Sequence, residues 1–188
     1  RRCLPILELH VPAGAAAGEF DLIQVEGSML SRRSDFAEPS AEDVALLLHT
    51  SGTTARPKLV PLSHQNLCAS ARNIARTLAL RPSDRCLCVM PLFHIHGLIG
   101  ALLSSMAAGA SVACTSGFAS ARFFDWLIEF QPTWFSAVPT MHQSILERAA
   151  TLKPTPQAPP TLRFIRSSSA ALPPPVMERL ESLFGVPV

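Results

Sequence analysis

The sequence predicts an α/β fold: a mainly parallel sheet with helices on both faces. Short apolar runs alternate with helix-patterned segments from Asp43 to the chain end. That order gives parallel strands joined by crossover helices. The runs themselves, such as DVALLLH at 43–49 and RCLCVM at 85–90, are nearly continuous rather than alternating, as in strands covered on both sides. Hydrophobic residues make up 48% of the 188 residues and charged ones only 16%. This is enough for a sizeable core, and it leaves part of the surface to be covered by something else.

The elements follow in order. Cys3–Leu9 reads as a strand, and 26–41 as a loop. Asp43–His49 is a buried strand that enters a Ser/Thr/Gly loop. Ser63 caps a helix to about Leu80, with Leu67, Ala71, Ile74, Ala75 and Leu78 on one face and Pro82 closing it. Arg85–Met90 is a strand ended by Pro91. A helix from about Gly97 to Ala108 follows, terminated by Gly109 in a left-handed turn. Ser111–Thr115 is a strand and Ala121–Phe130 a helix; the aromatic and aliphatic residues almost encircle the helix, which predicts burial on several sides. Thr133–Val138 is a strand, and Pro139 starts a helix to about Ala149. The prolines of 154–160 make a stiff connection. Leu162–Arg166 is a strand, Pro173–Leu183 a helix, and Val186–Val188 a further strand.

Several function classes drop out. A formal charge of +2 leaves no electrostatic footprint for nucleic acid or an anionic membrane. The five cysteines are odd in number and form no CxxC pair, so neither a metal site nor a disulfide framework is expected. Reduced thiols suit a reducing compartment. No signal-peptide pattern opens the chain, which points to a cytoplasmic protein, or a peroxisomal one if the source is eukaryotic. No Lys, Arg, Asp or Glu occurs between Arg85 and Arg122. A membrane span needs about 20 unbroken apolar residues, and Pro91, His94, His96, Gly97, Ser104 and Ser105 interrupt this stretch. It reads as a buried helix and strand.

Parallel sheets bind ligands at the carboxyl ends of their strands, so the loops at 49–58, 91–97, 138–140 and 167–171 are the candidates. The first reads His49-Thr50-Ser51-Gly52-Thr53-Thr54-Ala55-Arg56-Pro57-Lys58. Hydroxyls and backbone N–H groups bind phosphate oxygens, Gly52 permits close backbone approach, and Lys58 adds a positive charge. It is not a Walker A loop, since Pro57 and Leu59 replace the required Gly and Ser/Thr.

Thr50-Ser51-Gly52-Thr53-Thr54-x-x-Pro57-Lys58 resembles the signature loop of the adenylate-forming superfamily, which includes acyl-CoA synthetases, luciferases and adenylation domains. Three further segments join it at the expected spacings: Pro91-Leu92-Phe93-His94-Ile95-His96-Gly97, Ala137-Val138-Pro139-Thr140, and Leu162 to Ala170. The wording is most similar to the oxalate–CoA ligase-like group. The resemblance implies part of the large N-terminal domain of the acyl-CoA synthetase-like fold. Residues 1–40 would be a preceding strand and loop. Residues 41–188 would be an AMP-binding subdomain that stops before the family's Mg, ribose and C-terminal motifs.

The resemblance also implies the chemistry: ATP activates a small carboxylate as an acyl-adenylate, and CoA then takes the acyl group. ATP, Mg2+ and CoA would be the cofactors and co-substrates. The partners would be the acid, the remainder of the enzyme and, through uncovered apolar faces, a homo-oligomer. Thr50, Ser51, Gly52, Thr53, Thr54 and Lys58 would hold the β- and γ-phosphates. Ala55 and Leu59 stand where glycine is common in the family. His94 would orient the carboxylate or gate access to it, and His96 would meet substrate or support the loop. Gly97 would allow substrate near the backbone, and Val138, Pro139 and Thr140 would line the acyl pocket. Ser168, Ser169 and Ala170 would lie along the adenine and acyl pocket. Arg163 and Arg166 could contact anions, but their spacing on a strand turns them to opposite faces, so at least one is structural. The piece alone should be inactive. Two alternatives stay open at this point: an adenylation domain that loads a carrier protein, and a non-catalytic nucleotide-binding or association module.

Overall fold

The computed structural model describes residues 6–15, 19–26, 38–50, 58–154, 156 and 158–188. The chain divides into two units, 1–39 and 40–188. In the first, β1 (Ile6–His10) pairs antiparallel with β2 (Asp21–Glu26). The expected strand at Cys3–Leu9 is thus seen from Ile6 onward, with β2 as an unexpected partner. Residues 27–37 of the expected loop lie outside the described residues.

The second unit opens with a hairpin, β3 (Val44–Thr50) antiparallel to β4 (Lys58–Ser63). This corrects the sequence reading twice. Asp43–His49 is not a buried strand of the parallel sheet: Val44 and Leu47 are 57% and 56% exposed. β4 was not expected, and Pro61 within it sits opposite Leu47 in the ladder. In a two-stranded ribbon a strand has a free edge, so the missing proline N–H is tolerated.

Ser63 ends β4 and caps α1 (His64–Thr77) as predicted. The Asn66 N–H donates to Ser63 Oγ at 3.3 Å, and the Ser63 N–H donates to Asn66 Oδ1 at 3.0 Å. This reciprocal pair satisfies two orphan donors of the first turn.

The main sheet holds β5 (Arg85–Cys88), β6 (Ser111–Cys114), β7 (Trp134–Ala137) and β8 (Phe164–Ser167), all parallel in the order β6-β5-β7-β8. After β5 come a short α2 (Ile95–Gly97), a π-helical segment (Leu98–Leu103) and α3 (Ser104–Ala107). The π segment was not expected; such widened turns collect near functional sites. Gly109 ends this helical run at φ 70°. The remaining helices are α4 (Ser120–Phe130), α5 (Pro139–Thr151) and α6 (Pro174–Phe184).

Side chains alternate across the sheet. Leu87, Phe135 and Ile165 are register partners and pack with Phe123, Ile145, Leu180 and Phe184 of α4–α6. Cys86, Trp134 and Phe164 form the row below on the opposite face, with Ala101 of the π segment over them. Helices therefore cover both faces, as predicted. Two details differ. α4 buries Phe123, Phe124, Trp126 and Leu127, but Ile128 is 72% exposed, so the helix is covered on one side rather than all round. Val186–Val188 forms no strand. It is held by the Ile165 N–H donating to the Pro187 carbonyl at 2.9 Å and by the Val188 N–H donating to Glu181 Oε1 at 3.2 Å. Among the described residues no helix is long and apolar enough to cross a membrane.

A buried charge ties the amino ends of the strands together. Asp84, 2% exposed, precedes β5. Both its carboxylate oxygens accept from Arg163 Nη1 at 2.6 Å. Oδ1 also accepts from the Thr133 hydroxyl at 2.7 Å, and Oδ2 from the Arg81 N–H at 2.8 Å. Burial raises the carboxyl pKa, but these bonds outweigh it and hold the group below its ordinary value of 3.8. A lowered pKa contributes stability above the unfolded-state value, and that contribution is lost as pH falls below it. We expect Asp84→Ala to cost about 3 kcal/mol, because it strands Arg163 and Thr133. Urea titration at pH 7 checks this, and the cost should shrink below pH 4.

Candidate active site

The polar residues gather where an α/β sheet binds ligands, at the carboxyl ends of β5, β7 and β8. One register row crosses the sheet there: Cys114, Cys88, Ser136 and Arg166, paired in turn. Above the row sits His96, 5% exposed. Its Nε2 lies 2.7 Å from Ser136 Oγ and its Nδ1 3.0 Å from Ser169 Oγ. Arg166 Nη1 donates to the same Ser136 hydroxyl at 3.0 Å, and Nη2 to Ser168 Oγ at 3.3 Å. The loop after β5 and the turn after β8 are thereby fastened to the middle of the sheet.

Burial, then the nearby Arg166, His94 and His142, push the His96 pKa down to about 4. His96 is thus a neutral imidazole at pH 7, donating through one nitrogen and accepting through the other. Burial also lowers the Arg166 pKa, with Cys86 pulling the other way; a guanidinium stays charged regardless. Ser169 holds φ 74°, a left-handed conformation that costs a non-glycine residue about 1–3 kcal/mol. Its bond to His96 helps hold it there.

His94 caps α2 and is exposed, its Nδ1 accepting from the His96 N–H at 3.3 Å. It stands between two clefts. One, of about 730 Å3, includes Leu48, His49 and Val60 of the β3–β4 hairpin and Phe93 in its lining. The other, of about 420 Å3, includes His96, Gly100, Arg166, Ser168 and Ser169. Ser70, His94, Ile95 and Ile99 line both. A further hollow of about 750 Å3 lies between α5 and α6 and is lined by Leu146, Ala149, Arg179 and Phe184. It is away from the carboxyl ends of the strands, so it is not the candidate.

The other predicted residues fall as follows. Thr50 and Lys58 are register partners at the end of the β3–β4 ladder. Ser51, Gly52, Thr53 and Thr54 lie outside the described residues. Gly97 is buried, and a Cβ there would collide with the Pro91 carbonyl and lie 2.9 Å from that of Met90; close backbone packing requires glycine. Val138 is half-buried against the Cys86 and Trp134 cluster. Pro139 is buried as the first residue of α5, and Thr140 and Ala170 are exposed. Of the predicted set, the structure brings His94, His96, Ser168 and Ser169 together, with Arg166. Sequence reasoning missed Ser136, whose only signal was a lone hydroxyl in the apolar strand WFSA. It also missed His142, a fully buried ring. Burial lowers its pKa to about 4. The Arg166 and Ala137 carbonyls pull the other way, but neither meets a ring nitrogen in good hydrogen-bond geometry.

A family model described as AMP-binding enzyme matches residues 7–188. An oxalate–CoA ligase of Arabidopsis thaliana is 42% identical over 199 residues, covering 96% of this chain and 38% of the ligase. A sulfoacetate–CoA ligase of Cupriavidus necator is 35% identical over 188 residues, covering 100% of this chain and 36% of the ligase. The chain thus spans under two-fifths of the length of these relatives. An o-succinylbenzoate CoA synthetase from Bacillus subtilis, solved in complex with AMP, superposes with a TM-score of 0.67 at 32% identity. That match covers 77% of this chain and 29% of that one.

The two buried histidines predict acid sensitivity. Each has a folded pKa of about 4 against an ordinary 6.5. Between these values the unfolded chain binds more protons, so stability is complete above pH 6.5 and falls as pH drops toward 4. Each should contribute on the order of 3 kcal/mol across that window. Denaturant titrations from pH 7.5 to 4.5 should show the decline, and His96→Asn should flatten it by about half. A stability independent of pH over this range would contradict the buried, neutral assignment.

Proposed function

The chain belongs to the AMP-binding enzyme family, and from that premise we propose that it forms part of an ATP-dependent acid–thiol ligase acting on a short carboxylic acid. The substrate carboxylate attacks the α-phosphorus of ATP and the bond to pyrophosphate breaks. The resulting acyl-adenylate is a mixed anhydride with a good leaving group. The sulfur of CoA then attacks the acyl carbon, and AMP departs.

The observation that carries this reading is the meeting of two clefts at His94. The β3–β4 hairpin borders one cleft through Leu48, His49, Val60 and Leu62, and its ladder ends in the Thr50–Lys58 pair. The polar cluster of His96, Ser168 and Ser169 lines the other. In this reading Thr50, Ser51, Gly52, Thr53, Thr54 and Lys58 hold the β- and γ-phosphates at the hairpin end. His94 stands between triphosphate and acid and orients the attacking carboxylate. Ser168, Ser169 and Ala170 flank the adenine and the acid, and His96 carries the polar wall. Gly97, Val138, Pro139 and Thr140 shape the backbone around the acyl group. The chain's contribution to rate is position: it holds two anions together in a site whose dipoles are already set.

Among the described residues no three His, Cys, Asp or Glu side chains converge to hold a metal ion. A Mg2+ that arrives with ATP would be held mainly by phosphate oxygens and water and would not need such a cluster. The reduced thiols of buried Cys86 and Cys88 fit a reducing compartment, the cytoplasm or a peroxisome. The partners are the acid, ATP, CoA and the rest of the full-length protein.

The full-length protein should catalyse pyrophosphate–ATP exchange that depends on a short acid such as oxalate. His94→Ala should lower kcat/KM for exchange by about 100-fold through lost orientation. Residues 1–188 alone should give no exchange. Acid-independent exchange, or full exchange by residues 1–188 alone, would contradict the reading.

A further inference from the structure

Two arginines lie three residues apart on and beside β8, and their surroundings are opposite. Arg163 is neutralised by buried Asp84 at the amino end of the sheet. Arg166, at the carboxyl end, has only neutral hydroxyls as side-chain partners, those of Ser136 and Ser168. No carboxylate pairs with it among the described residues. A guanidinium has five N–H donors, so charge and donors both remain unspent. The group is half-buried, and it is the one Arg or Lys that lines the 420 Å3 cleft among the described residues. Its neighbour His96 supplies no compensating charge.

A desolvated cation facing a cleft calls for an anion. The triphosphate is the wrong candidate, because the β3–β4 hairpin, whose ladder ends in the Thr50–Lys58 pair, borders the other cleft through Leu48, His49, Val60 and Leu62, across His94. The acid is the right one, since the cleft beside Arg166 suits only a small molecule. Its reacting carboxylate must lie toward His94 and the nucleotide. Whatever reaches Arg166 is therefore the acid's far end. Two relatives act on acids whose far end is anionic: oxalate carries a second carboxylate and sulfoacetate a sulfonate.

We propose that Arg166 receives the second, non-reacting anionic group of a short bifunctional acid and sets a preference for dianionic over monoanionic acids. The assignment rests on the acid–thiol ligase reading above. The Ser136 and Ser168 hydroxyls hold the guanidinium plane so that its free edge presents paired donors, the geometry that carboxylate and sulfonate oxygens match. His96 contributes by fixing Ser136.

The test uses the full-length protein and acid-dependent pyrophosphate exchange. Oxalate and sulfoacetate are compared with neutral-ended counterparts, glycolate and methylsulfonylacetate. The readout is the ratio of kcat/KM, dianion over neutral-ended acid. Wild type should favour the dianions. Arg166→Met should lower the ratio about 100-fold, and Arg166→Lys, which keeps the charge but loses the fork, about 10-fold. A structural role would slow both acids together and leave the ratio unchanged, which would overturn the proposal. If Arg166→Met does not fold, the Lys variant decides: an unchanged ratio sinks the idea. A wild type active with all four acids but without preference also sinks it, and leaves the ligase reading standing. A wild type that binds ATP yet exchanges with none of the four sinks both.

Discussion

A parallel sheet covered on both faces can satisfy polar side chains at the ends of its strands, and it offers ligands a row near their carboxyl ends. In this chain that row ends in Ser136 and Arg166, and a single hydroxyl, Ser136 Oγ, meets both His96 and Arg166. The rest of the site hangs on this contact. It sets the depth of the loop that carries His94 and the placement of the turn that carries Ser168 and Ser169. Because the imidazole is buried and neutral, the network binds without a charge of its own and leaves Arg166 uncompensated. Interior hydrogen bonds of this kind are strong when complete and costly when broken, which is why the strained Ser169 backbone is tolerated.

The two ends of the sheet divide the electrostatic work. At the amino end, Asp84 binds Arg163, Thr133 and the Arg81 backbone and so locks three segments together. The Asp84 and Arg163 charges there neutralise each other. At the carboxyl end the equivalent arginine is held by neutral groups and faces open space. The same residue type is structural in one place and available in the other. The difference lies only in which neighbours the register brings beside it.

Much of this was legible in the sequence. The four parallel strands, the Ser63 cap, the Gly109 turn and the proline-started helices each depend on local chemistry that a sequence displays. What escaped notice depends on partners distant in the chain. β4 contains a proline, and only its pairing with β3 makes it a strand. β3 has the composition of a buried strand but lies in an exposed hairpin, since apolar content does not say what covers it. The π segment, LIGALL, has a local pattern that does not distinguish it from an α-helix. Ser136 is one hydroxyl in an apolar strand, and its importance follows from register with Arg166 and from the approach of His96, forty residues earlier. The opposite facing of Arg163 and Arg166, by contrast, was already implied by strand periodicity.

The most direct test of the central claim is a crystal structure of the full-length protein with ATP and oxalate. The account predicts the triphosphate at the Thr50–Lys58 end of the β3–β4 hairpin. One oxalate carboxylate should face His94 and the other should lie within hydrogen-bond distance of Arg166, with Ser136 still between Arg166 and His96. Oxalate seated away from the carboxyl ends of β5, β7 and β8, or an Arg166 paired instead with an acidic side chain from elsewhere in the protein, would contradict it.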